Sequence, residues 1–235
     1  MNRPLRFGAA LLLTIVAAWA GWHRYVRVTP NSSAAPAVDR KSAASPRVPV
    51  PGTEPESGPG PSFAMAEIPE RLPDFTLQNR EGKPTSIVAW RGKSLVLNFW
   101  ATWCAPCRRE IPLLEALDAH WNARNVAVVG IAVDRRAEVL KFAEQFHIAY
   151  PLLIGEQDAL DAATAMGVAS PVFPFTVFTD RRGEVVAVFV GELHRPQAEL
   201  ILGAVEDLNE DRIALQAARR AIAAGLDQLA AGRAG

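Results

Sequence analysis

Only two cysteines occur in the 235 residues, Cys104 and Cys107, in the run Asn98-Phe-Trp-Ala-Thr-Trp-Cys-Ala-Pro-Cys107. Two thiols three residues apart can exchange an electron pair with a partner disulfide, one sulfur attacking and the other releasing the captured partner. As a structural staple the pair would constrain almost nothing, because the loop it closes is so short. An all-cysteine zinc site needs four ligands, and the only histidines, His23, His120, His147 and His194, form no ligand-spaced pair. Neither a metal nor an organic cofactor is required for the exchange, and none is expected.

Chemistry at this pair needs elements that hold it at an accessible edge. Ser94–Trp100 reads as a buried strand, and from Cys107 to about Trp121 the apolar Ile111, Leu113, Leu114 and Leu117 recur at helical spacing. Cys104 therefore falls where a strand ends and a helix begins. Unpaired N–H groups and the positive end of the helix dipole favour thiolate there, so Cys104 is expected to attack and Cys107, one turn inside, to resolve. Pro106 lacks an N–H and suits the first helical turn. Trp103 is placed to shield one side of the pair.

The surrounding chain reads as α/β. Pro73–Leu77 and Thr85–Val88 suggest two short strands around the turn Arg80–Lys83, and Val126–Val133 is apolar throughout, as a central strand covered on both faces would be. Ala137–Phe146 and Gln197–Leu208 have helical periodicity, and Phe175–Phe178 with Glu184–Val190 suggests a hairpin. Leu208, Leu215, Ile222 and Leu229 recur every seven residues in an Ala-rich tail, which predicts an amphipathic helix over part of 210–235. Gly225 and two arginines argue against a coiled coil, leaving packing on the domain or fraying.

Charge balances, with 25 Lys+Arg against 25 Asp+Glu. That argues against a general nucleic-acid binder, which needs a basic excess. The N-terminal region is different. Residues 1–28 hold Arg3, Arg6 and an uncharged apolar run from Phe7 to Trp22, followed by Arg24 and Tyr25. It reads as a membrane anchor with its N-terminus inside, with a cleaved signal peptide as the rival reading; both export the rest of the chain. Thr29–Pro61 contains eight Pro, five Ser and three Gly in 33 residues and no aromatic. A stretch of that composition buries too little to offset its ordering entropy, so 29–65 is expected to be a tether, with an upper reach on the order of 100 Å. The globular domain is expected over 66–209.

The run from Phe99 to Leu114, Phe-Trp-Ala-Thr-Trp-Cys-Ala-Pro-Cys-Arg-Arg-Glu-Ile-Pro-Leu-Leu, resembles the membrane-anchored thioredoxin-like proteins of the TlpA/ResA family, in the wider redoxin group. The resemblance covers about Pro73 to Asn209. It implies a thioredoxin-like α/β sandwich with an added N-terminal β-hairpin and an inserted strand-helix segment, on the periplasmic side of the inner membrane. It also implies a protein-disulfide reductase acting on exported proteins, including apocytochromes c and copper-handling proteins of cytochrome oxidase assembly. Its electrons would come from a membrane thiol transporter of the CcdA/DsbD type.

By the same resemblance, Glu110 matches the acid that ResA-type proteins place near the cysteines, where a half-buried carboxylate with a raised pKa would shuttle a proton. The plainer reading is an exposed first-turn glutamate that only complements the dipole. Asn98 stands where cytosolic thioredoxins carry a buried Asp, and Pro112 matches the fold's helix-kinking proline. Pro174 matches the cis-proline beside the cysteines, which would leave the Phe173 backbone open to an incoming client strand. Trp103, Pro106, Phe173 and Pro174 are thus the expected client-binding residues. Two other functions compete. In a thiol peroxidase of peroxiredoxin type a threonine would precede the reactive cysteine by three residues, and Ala101 stands there. A Cu(I) carrier would use the two soft thiolates, with no added Met or His motif in support.

Overall fold

The computed structural model describes residues 68–168 and 172–232. The expected anchor (1–28) and the whole of the expected tether (29–65) lie outside them. Among the described residues, no helix is long and apolar enough to cross a membrane.

Seven strands form one sheet: β1 (Thr76–Asn79), β2 (Pro84–Ser86), β3 (Ser94–Trp100), β4 (Val126–Val133), β5 (Leu152–Gly155), β6 (Phe175–Thr179) and β7 (Val185–Val190). Their spatial order is β2-β1-β5-β4-β3-β6-β7. β3 runs parallel to β4 and antiparallel to β6, so it is an interior strand, with every residue buried. Five helices cover the sheet: α1 (Ala105–Trp121), α2 (Arg136–Gln145), α3 (Gln157–Ala165), α4 (Arg195–Asn209) and α5 (Leu215–Ala231).

The two-residue period of β3 divides the core. Val96 and Trp100 join the α1 side, which also takes buried residues of α2, α4 and α5. Leu95, Leu97 and Phe99 face the other way, against α3 and Ile87. Both faces being covered explains why β4 reads as a continuous apolar run and β3 as a buried strand. Burial of side chains of this size stabilises by about 1.5–3 kcal/mol each, so β3 is a firm platform for the loop after it.

β3, β4, α1, α2, α4 and the β6–β7 hairpin lie within two residues of the positions read from periodicity. The N-terminal hairpin is displaced towards its turn. Ser86 accepts the Val88 N–H on its side chain at 3.2 Å and starts a 3₁₀ turn over Ile87–Trp90, which buries Ile87 instead of extending β2. β5 and α3 lie between α2 and β6, the strand after the expected cis-proline. The strand β5 wedges between β1 and β4, so β1 pairs antiparallel with β5 through Gln78↔Ile154. The tail does pack on the domain: Ala218 and Ile222 of α5 are buried on the α1 side of the core. Gly225 lets α5 sit close to α4, because a Cβ there would meet Leu200 Cδ2 at 2.7 Å.

Candidate active site

β3 ends at Trp100, and the chain turns through Ala101-Thr-Trp103 into α1. Cys104 is the N-cap of that helix, with extended φ −81° and ψ 108°, and its Sγ accepts the Cys107 N–H at 3.2 Å. Pro106 lies in the first turn and is half-buried. The two sulfurs are joined in a disulfide. In this oxidised form Cys104 is only 4% exposed and Cys107 2%. The side chain presented to solvent is instead Trp103, at 70%. Expected to shield the pair, Trp103 meets Phe173, with ring centroids 6.0 Å apart.

The Phe173–Pro174 bond is cis. Pro174 is buried, and its carbonyl accepts the Gly191 N–H at 2.9 Å, which anchors it to the residue after β7. Phe173 also lies over Phe175, which stacks on Phe99 with centroids 4.4 Å apart. Of the four expected client-binding residues, Trp103 and Phe173 are thus in contact, with Pro174 directly behind Phe173 in the chain.

Glu110 follows Cys107 by three residues, on the same face of α1. It is buried, not the exposed first-turn glutamate of the plainer reading and deeper than a half-buried shuttle. Asn98 Nδ2 donates to its Oε1 at 2.8 Å, and the Leu193 N–H donates to its Oε2 at 2.9 Å. Burial pushes its pKa up to about 7, against the lowering effect of these two hydrogen bonds; the Glu192 charge adds to the rise. A surface cavity of about 260 Å³ between α1 and Leu193–Arg195 opens onto it.

One further residue holds the site and was missed from sequence. Asp134, just after β4, accepts the Thr102 hydroxyl and the Thr102 N–H on Oδ2, the latter at 3.4 Å. Its own N–H donates to the Gly155 carbonyl at 3.0 Å. The signal was an acid at the carboxyl end of a buried parallel strand, the edge at which α/β sheets place their sites.

The redoxin family profile matches residues 69–202, more than half of the chain. The chain belongs to the redoxin family. It is similar to the thiol-disulfide oxidoreductase ResA of Geobacillus thermodenitrificans (strain NG80-2), with 34% identity over 122 residues that cover 52% of this chain and 68% of the relative. The thioredoxin-like protein YneN of Bacillus subtilis (strain 168) is 31% identical over 134 residues, which span 55% of this chain and 75% of the relative. Among solved structures, a secreted thiol-disulfide isomerase from Corynebacterium glutamicum superposes with a TM-score of 0.55 at 25% identity, covering 64% of this chain and 96% of the other.

This redoxin is TlpA/ResA-like, and its CxxC pair makes it a thiol-disulfide oxidoreductase. Outside its buried carboxyl, Arg109 pairs with Glu192, the guanidinium Nε donating to Oε2 at 2.9 Å. That pair ties α1 to the end of the β6–β7 hairpin on the solvent side of Glu110. In this redoxin no three His, Cys, Asp or Glu side chains converge as metal ligands among the described residues.

Proposed function

We propose that this redoxin reduces disulfides of exported proteins on the periplasmic side of the inner membrane, held there by residues 1–28 and the tether 29–65. The observation that carries the reading is the Cys104–Cys107 pair at the N-terminus of α1, with the buried Glu110 carboxyl one helical turn from Cys107. A pair that only stapled the fold would need no such group.

In the proposed cycle the Cys104 thiolate, steadied by the helix N-terminus, attacks one sulfur of a client disulfide. A mixed disulfide forms and the first client thiolate leaves. Glu110 takes the proton of the Cys107 thiol, and the resulting thiolate attacks Cys104 Sγ. The second client thiolate leaves, the Cys104–Cys107 disulfide closes, and one electron pair has passed to the client. The dithiol is then restored by a membrane thiol transporter of the CcdA/DsbD type. Trp103 and Phe173, backed by the buried Pro174, form the surface against which the client segment is laid. Clients in cytochrome c maturation or cytochrome oxidase copper-site assembly fit this chemistry, since both must present reduced cysteine pairs outside the cytoplasm.

Three measurements test the reading. Cys104→Ser abolishes reduction of a model disulfide, whereas Cys107→Ser accumulates mixed disulfides whose partners identify the clients. In the reduced protein, iodoacetamide modifies Cys104 ahead of Cys107 at neutral pH. Reduction that persists in both serine variants, or a Cys104 that stays unreactive after reduction, would remove the proposal.

A further inference from the structure

The pole of the domain opposite to the disulfide carries a second cavity, of about 320 Å³, that the redox chemistry does not use. Lys93 and Leu95 line it at the start of β3, while Cys104 lies beyond the end of that strand, so the two sites are about 20 Å or more apart along the sheet. Its charged lining is one-sided: Arg71, Arg91, Lys93, Arg181 and Arg182 against the single acid Asp74. In a chain whose charges cancel, that is a segregation of charge. The acids nearby do little to neutralise it. Asp74 holds Arg91 at 3.4 Å with both side chains mostly exposed, and Asp211 holds Arg182 at 2.7 Å. Exposed pairs of this kind are worth little. Among the described residues, Lys93 and Arg181 are in no ion pair. The half-buried Trp90 and the apolar Ile87, Val88 and Leu72 complete the wall.

Arginines beside a lysine and a tryptophan, over an apolar floor, match the chemistry of a phosphodiester at a bilayer interface. Guanidinium groups bind phosphate through paired donors, and an indole ring sits at the headgroup level. The position of the cavity favours that source over a soluble anion. Arg71 is three residues from Ile68, where the described domain begins, and residues 1–67 before it include the apolar run Phe7–Trp22. A tether of this length keeps the domain at high effective concentration near the surface, so a modest contact is enough to populate a docked state.

We propose that this cationic cavity binds the phosphate of anionic phospholipid headgroups and docks the pole opposite to Cys104 onto the bilayer. The proposal rests on the membrane-anchored reading of residues 1–28. Docking turns the disulfide away from the membrane and towards soluble clients, and release lets it turn back to a membrane electron donor.

The test uses the full chain in nanodiscs of phosphatidylcholine, with or without phosphatidylglycerol, read by amide hydrogen exchange. Exchange over Ile87–Lys93 and Arg181–Gly183 slows with phosphatidylglycerol and recovers in high salt, while Ala105–Glu110 is unchanged. Lys93→Glu and Arg181→Glu each weaken the protection by more than the roughly fivefold expected for losing one basic contact near an anionic surface, because each also adds a repelling charge. Both variants keep disulfide reduction at the wild-type rate; if either unfolds, Lys93→Gln and Arg181→Gln carry the same comparison. Equal exchange in both discs by a chain bound to both would overturn the docking and leave the anchor standing. Protection undiminished in the variants, or equal protection by glycerol 3-phosphate in phosphatidylcholine discs, would also overturn it. A chain that associates with neither disc removes the anchor reading and the docking with it.

Discussion

Asn98 Nδ2 donates to Glu110 Oε1 at 2.8 Å, joining β3 to the reactive helix. The same amide reaches Thr176 Oγ1 at 3.1 Å on the neighbouring strand. Asn98 is therefore the neutral holder of a carboxyl that belongs to the helix. An aspartate there would place a second acid against Glu110, and two buried like charges at hydrogen-bond distance cannot both ionise.

Glu110→Gln should remove a pH-dependent limb of the reaction. Below about pH 7 the wild-type carboxyl is protonated and cannot accept the Cys107 proton, so the rate of reduction falls as acidity rises. The glutamine variant lacks that limb and is slower at neutral pH, on the order of a hundredfold. Stopped-flow reduction of a model disulfide across pH checks this; a constant ratio of variant to wild type at every pH would exclude the proton role.

Stability should carry the same signature. Glu110 holds its proton more tightly folded, to about 7, than at its ordinary value of 4.5. Its contribution is full below pH 4.5, falls as pH rises through 7, and is then gone; the span corresponds to on the order of 3 kcal/mol. Urea unfolding of wild type and Glu110→Gln at several pH values gives the difference, which should change within that window and nowhere else.

Asp134→Ala leaves the Thr102 hydroxyl and N–H without their acceptor. A loss of about 1–2 kcal/mol is expected, together with slower alkylation of reduced Cys104 at a fixed pH as its loop loses its anchor. Asp134→Asn retains a carbonyl acceptor and should recover most of both. Equal effects of the two substitutions would show that only the charge matters.

Gly225 separates two opposing terms. Gly225→Ala gains about 1 kcal/mol of helix propensity and meets only the tip of Leu200, which can move, so its melting temperature should stay near that of wild type. Gly225→Leu cannot be accommodated between α4 and α5 and should cost about 1–3 kcal/mol. Thermal unfolding of both variants distinguishes close packing from a helix that merely leans on the domain.

Much of the fold was legible because it is local. β4 announces itself as an apolar run, β3 as a buried strand, α1 by its spacing, and the CxxC pair by lying between strand and helix. Leu152-Leu-Ile-Gly155 was not legible as a strand from its own pattern. Four residues after Pro151 have too little periodicity to distinguish strand from helix, and only their place between β1 and β4 makes them one.

What the sequence alone determined was the reactive pair, its seat at a helix N-terminus and the family motif around it, since these depend on residues within a turn or two of one another. The tertiary structure decided the surroundings. Leu193 reaches Glu110 across 83 residues of chain, Asp134 reaches Thr102 across 32, and Phe173 meets Trp103 from beyond α3. Such contacts are set by strand register and helix packing, which no local pattern encodes, and burial is what moves Glu110 from an ordinary surface acid to one that titrates near neutrality.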